Sequence, residues 1–180
     1  TIYLKDYRAP DFLIDTTNLH VDLHDDVTTV TSILKIRRNP ASTDPKAPLV
    51  LHGQEIKLVL LTIDDVALSQ DQYSLGAETL TIPELGNEFV LRCVGEIKPQ
   101  ANTSLEGLYR SRTMYCTQCE AEGFRKITYY LDRPDVLSEF TTTVVADKTL
   151  FPVLLSTGNL IDSGEQADGR HFATWHDPFK

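Results

Sequence analysis

Residues 18–24 read Asn-Leu-His-Val-Asp-Leu-His, with polar and apolar side chains in strict alternation. In an extended chain, side chains two apart lie on one side, so this period of two predicts a half-buried strand. Asp25-Asp26 makes a turn, and residues 27–38, rich in Val, Thr and Ile, predict the long second strand of a hairpin. Residues 1–10 read as an extended lead-in ended by Pro10, and residues 39–45 form a loop with turn chemistry at both ends.

The same pattern continues in shorter pieces. Residues 49–53 fit a short strand or a helical turn, and residues 56–63 are apolar enough for a buried strand closed by Asp64-Asp65. Strand-like segments follow at 66–68, 73–75, 79–82 and 88–97, several of them separated by Gly, Pro or Asn. One helical segment of one or two turns is expected near 133–140, where Pro134 stands at the start and acidic residues occupy the first turn. Residues 141–146 return to strand, 151–156 continue the pattern, and Thr157-Gly158-Asn159 turns the chain. Asp168-Gly169 joins a last hairpin whose second arm, 170–176, carries the only tryptophan, Trp175. Many short strands at close spacing predict an all-β fold, an antiparallel β-sandwich or a barrel and not an α/β fold.

Composition narrows the functional classes. With 180 residues, 41% hydrophobic and 24% charged, the chain has the make-up of one ordinary soluble globular domain. No run approaches the roughly 18 apolar residues of a membrane span, and the opening T-I-Y-L-K-D-Y-R lacks a signal peptide's apolar stretch, so no membrane partner and a cytoplasmic location are expected. A net charge of -9 argues against nucleic acid, because phosphate contacts need clustered cations and Arg37-Arg38 and Arg110-Ser111-Arg112 are too short. Three cysteines, an odd number, do not make a disulfide scaffold and fit a reducing compartment.

The stretch 116–135 concentrates the candidate chemistry. If it is extended, Gln118 and Glu120 share a face while Cys119 points away. A carboxylate beside an amide suits a small cation that donates hydrogen bonds, and the α-ammonium of a peptide is such a group. Composition alone favours the plainer reading, two polar residues on the solvent side of an edge strand.

Other motifs are weaker. Cys116-Thr117-Gln118-Cys119 is a C-x-x-C, but Glu120 and Glu122 oppose thiolate formation, and structural zinc would need Cys93 and a histidine as well. His20 and His24 are spaced by four, which serves chelation only on a helix; on a strand they stand about 13 Å apart. His171 and His176 flank Trp175 and suggest a sugar platform, against which a packed tryptophan is the simpler reading.

The run Thr117-Gln118-Cys119-Glu120, then Arg125, then Tyr129-Tyr130-Leu131-Asp132-Arg133-Pro134-Asp135, resembles the N-terminal domain of the zinc aminopeptidases of the aminopeptidase N family, in its bacterial cytosolic branch. Gly107-Leu108-Tyr109 before it and residues 154–159 after it fit in the same order, and the match runs from Tyr7 to Phe179. The resemblance implies a saddle-shaped sheet domain in which Gln118 and Glu120 hold the substrate's N-terminal amine. A following catalytic domain would then complete the site with zinc and a second carboxylate. H-E-x-x-H and G-x-M-E-N are absent from residues 1–180, so no metal site and no catalytic residue are expected in this chain, which should be inactive alone. On this reading residues 1–180 are the N-terminal β domain of a larger aminopeptidase, lacking its final strand and therefore exposing an edge prone to self-association. The alternative is a stand-alone β-sandwich that binds peptides or carbohydrate.

Overall fold

The computed structural model describes residues 3–180; the first two residues of the expected lead-in lie outside it. The described residues form thirteen strands: β1 (Phe12–Asp22), β2 (Thr28–Arg38), β3 (Leu49–His52), β4 (Lys57–Ile63), β5 (Val66–Ala67), β6 (Ser74–Leu75), β7 (Thr79–Ile82), β8 (Glu88–Ile97), β9 (Gly107–Ser111), β10 (Met114–Gln118), β11 (Glu139–Asp147), β12 (Asn159–Glu165) and β13 (Arg170–Asp177). Eight of them make one sheet in the order β12-β13-β11-β1-β2-β8-β4-β5; β3, β7 and β6 make a second sheet, and β9 and β10 a separate hairpin.

Alternation drives this assembly. Along β2, Thr28, Val30, Ser32, Leu34 and Ile36 are all fully buried, while Ile33 between them is 37% exposed. β8 repeats the pattern with Phe89, Leu91, Cys93 and Ile97 inward. One face of the large sheet therefore carries the core, and Val59, Val90 and Ile33 leave the other open to solvent.

Two apolar clusters lie on the covered face. In the first, Leu49 and Leu51 of β3 and Leu80 and Ile82 of β7 pack on Phe12, Leu34, Ile36 and Leu91, closing the sandwich. In the second, Leu19, Val21 and Leu23 meet Leu108 of β9, Ile127, Leu154 and Ala173. Here the second layer is a hairpin and loops instead of a full sheet.

Four expectations are corrected. Residues 133–140 form no helix: a single turn closes from the Val136 N–H to the Arg133 carbonyl at 3.1 Å, and the chain enters β11 at Glu139. Tertiary contacts override the local signal, since Asp135 is held by Arg133 at 2.7 Å and by Tyr7 at 2.9 Å, and Ser138 is buried against Thr17 at 2.8 Å. The large sheet is not purely antiparallel, because β1 and β11 pair in parallel from Thr16↔Glu139 onward. Residues 151–156 join no sheet, although Leu154 is buried. The lead-in contains a 3-10 turn at Leu4–Asp6, where an extended chain was expected.

Candidate functional site

The β9–β10 hairpin delivers Gln118 to the end of its strand, where it pairs with Gly107. Gly107 sits at φ +68°, and a Cβ there would lie 2.5 Å from the Cβ of Lys126, so only glycine fits. β10 stops at Gln118, and Glu120 begins a turn. The strand-pleat argument for a shared face therefore does not hold; a turn brings the pair together instead. The Gln118 Nε2 donates to the Glu120 backbone oxygen at 3.4 Å, and both residues are exposed. The turn closes where the Gly123 N–H donates to the Cys119 carbonyl at 3.1 Å. A Cβ on Gly123 would stand 2.4 Å from the Gln118 oxygen. The Glu120–Ala121 peptide is cis.

Behind the turn stands a buried ion pair. Arg125, in the 3-10 helix Phe124–Lys126, donates from Nε to Asp132 Oδ2 at 2.8 Å and from its backbone N–H to the same oxygen at 3.1 Å. One guanidinium nitrogen reaches the Asp132 carbonyl at 3.2 Å and Glu122 Oε2 at 3.1 Å. The neighbouring cation Lys126 pairs with Glu55 at 3.4 Å. The nearby cations are thus engaged by Glu122, Asp132 and Glu55, and the Glu120 carboxylate is left facing solvent. Burial pushes the His52 imidazole down, and the adjacent Arg125 charge adds to the shift, so the neutral form is favoured. Sequence reasoning assigned no role to Arg125 and Asp132; nothing in strand periodicity links residues seven apart across a turn.

Alongside lies an apolar groove of about 930 Å³, lined by Leu108, Met114, Phe124, Phe140, Leu150 and Phe151 among others. Thr117 and Cys119, the neighbours of Gln118 and Glu120, also line it. In its lining, the Phe124 ring meets Phe140 at 5.9 Å and, behind it, Tyr130 at 4.6 Å, both edge-on. Several side chains at this groove remain largely exposed, including Met114 at 60%, Val153 at 69% and Leu155 at 72%.

The remaining candidates occupy ordinary structural places. Cys93, Cys116 and Cys119 are free thiols. Burial pushes Cys93 up to about 12, and burial with the Asp132 charge pushes Cys119 up to about 11, which opposes a reactive thiolate. His20 is exposed on β1, and His24 shares Asp22 with Arg170. His171 Nε2 bonds the Phe151 carbonyl at 2.7 Å, His176 Nδ1 bonds Thr141 at 3.2 Å, and Trp175 packs on the second cluster. Among the described residues no group of three or more His, Cys, Asp and Glu side chains is gathered to hold a metal. No helix among them is long and apolar enough to cross a membrane.

An exposed carboxylate and amide on a turn, carried by a one-sided sandwich, define a β domain that offers a small polar site at its margin. The chain belongs to the peptidase M1 N-terminal domain family, whose model matches residues 12–180. It is 50% identical over 177 residues to the aminopeptidase N of Escherichia coli (strain K12), covering 98% of this chain and 20% of that protein. It is 49% identical over 178 residues to the aminopeptidase N of Caulobacter vibrioides, covering 99% of this chain and 20% of that one. Among solved structures, Legionella pneumophila aminopeptidase A in complex with aspartic acid superposes with a TM-score of 0.90 at 32% identity, over 97% of this chain and 20% of that one. A zinc metallopeptidase of the same family from Deinococcus radiodurans shares the fold, with a TM-score of 0.75 at 14% identity over 92% of this chain and 39% of its own. The chain thus spans about one fifth of the length of the aminopeptidase N relatives.

Proposed function

We propose that this chain is the N-terminal domain of a zinc-dependent aminopeptidase that removes N-terminal amino acids from peptides, and that Gln118 and Glu120 anchor the substrate α-amine. The observation that carries the reading is the Glu120 carboxylate, exposed and left without a cation among the described residues, beside an amide on a closed turn. An α-ammonium brings one positive charge and three donors, and Glu120 supplies the charge-assisted acceptor. Because its Nε2 is already bonded to the Glu120 carbonyl, Gln118 presents Oε1 as a second acceptor. Holding the amine at a fixed place sets how far the substrate reaches toward the hydrolytic centre, so that the first peptide bond is the one presented.

The zinc ligands and the hydrolytic residues belong to polypeptide beyond these 180 residues, as the length and names of the relatives suggest. Zinc, when bound, activates water and polarises a carbonyl. The apolar groove is the face that packs on that catalytic part, since a patch this apolar is rarely left in water. Alone, the 180-residue domain hydrolyses nothing. The three free cysteines fit a cytoplasmic setting.

The test compares an aminoacyl arylamide with its N-acetylated counterpart on the full-length polypeptide, with and without chelator. Cleavage confined to the free amine and abolished by chelator is expected. Equal cleavage of both substrates refutes the amine anchor. No cleavage of either returns the chain to a stand-alone binding module.

A further inference from the structure

We propose that Arg125 is a positioning residue for the amine site: locked to Asp132, it grips Glu122 and so fixes the turn that presents Glu120. This rests on the amine-anchor reading above and adds to it the part that gives the anchor its rigidity.

The geometry has three links. The inner link is the Asp132 carboxylate, whose side chain is 7% exposed; it takes both the Nε and the backbone N–H of Arg125. The segment carrying Asp132 is itself fixed, because Tyr130 exchanges both backbone hydrogen bonds with His52 of β3, at 2.8 and 3.0 Å. The middle link is Arg125, with a side chain only 13% exposed and a carbonyl that accepts the Gln54 N–H at 2.8 Å. The outer link is Glu122, 58% exposed, held at 3.1 Å two residues beyond Glu120. The exposed turn is thereby tied through one guanidinium to the core.

A planar guanidinium suits this role. It reaches Asp132 with one nitrogen and Glu122 with another, which an ammonium cannot do in the same fixed directions. Without the grip on Glu122, the 119–123 turn keeps its Gly123-to-Cys119 hydrogen bond and its packed ends, half-buried Cys119 and buried Gly123, but the exposed residues between them lose their side-chain tether to the interior. The Glu120 carboxylate then samples positions away from the ammonium, and misplacement of a binding group is costly in rate.

The test is a double-mutant cycle in the full-length polypeptide, measuring kcat/KM on an aminoacyl arylamide. Arg125→Lys and Glu122→Gln are each made alone and with Glu120→Gln; Glu122 is exposed, so its variant folds even if the Arg125 variant does not. The expected single effects are losses of roughly tenfold for Arg125→Lys and roughly threefold for Glu122→Gln, each shrinking to under about twofold once Glu120 is Gln. Losses of the same size in both backgrounds would reveal a general structural effect and overturn the positioning role. No loss from Glu122→Gln also overturns it. If Glu120→Gln itself costs nothing, the amine anchor falls and the positioning role falls with it.

Discussion

The Oδ2 atom of Asp132 lies 2.8 Å from the Arg125 Nε and 3.1 Å from the Arg125 backbone nitrogen, so a single carboxylate oxygen holds both the side chain and the main chain of one residue. Neutralising that oxygen leaves a buried guanidinium short of its counter-charge. Asp132→Asn is expected to destabilise the domain by about 3 kcal/mol, the usual cost of breaking a buried pair from one side. Urea unfolding measures it; a change under about 0.5 kcal/mol contradicts the assignment of the pair as buried and bonded.

Gly123 makes a second, steric prediction. A Cβ at this position falls 2.4 Å from the Gln118 oxygen and 2.9 Å from the Cys119 Cα, both main-chain atoms that do not swing aside. Gly123→Ala should cost about 2 kcal/mol of stability and lower the affinity for amine-bearing substrates, because the turn must open to admit the methyl group. An unchanged unfolding midpoint would mean that the turn already has that freedom.

The acid limb of stability has a definite sign. At Asp22, burial raises the carboxyl, but the Arg170 hydrogen bond and charge outweigh it and the net shift is downward from the ordinary 3.8. At Asp135 the Arg133 hydrogen bond is the largest cause, and the shift is again downward. A folded value below the unfolded one adds stability that is complete above the unfolded pKa and disappears as the pH falls through the folded one. Stability should therefore begin to decline as the pH falls through about 6.5, where the unfolded His52 takes up a proton that the folded one resists, and fall more steeply below about pH 5 as the unfolded carboxyls begin to take up protons. Arg170→Met should weaken the domain at neutral pH and flatten this acid limb. The same acid slope in both proteins contradicts the Asp22 pairing.

The C-x-x-C pair gives a chemical check. With thiols raised to about 12 at Cys93 and about 11 at Cys119, the thiolate fractions at pH 8 fall about a hundredfold or more below those of free cysteine. Alkylation at that pH should be slow at Cys93 and Cys119 in the native protein and fast in urea. Intact mass should show three alkylatable thiols and no disulfide. Rapid native labelling of Cys119 would revive a redox role.

How much of this was legible in the sequence depended on range. The β2 alternation from Thr28 to Ile36 is a period of two, the Asp168-Gly169 turn marks the final hairpin, and β2 and β8 lie where the pattern put them, whereas β1 runs Phe12–Asp22 and shares only residues 18–22 with the expected strand over 18–24. Residues 133–140 misled because Pro134 with flanking acids is a local helix signal, whereas Arg133, Tyr7 and Thr17 act on that segment from elsewhere in the chain. The parallel β1–β11 pair joins strands more than a hundred residues apart and leaves no local trace. At the site, Gln118 and Glu120 were named, but their closeness was ascribed to a pleat when a turn supplies it. Arg125 and Asp132 meet only because the 3-10 helix and the Tyr130–His52 bridge fold the chain back on itself.

The most direct test of the amine anchor is kcat/KM of the full-length polypeptide and its Glu120→Gln form on an aminoacyl arylamide. The substitution keeps the shape of the side chain and removes the charge. A loss of roughly 30-fold or more, about 2 kcal/mol of transition-state stabilisation, is predicted for a charge-assisted contact to the substrate ammonium. Activity indistinguishable from that of the unaltered enzyme would contradict the account and leave Glu120 a bystander on an exposed turn.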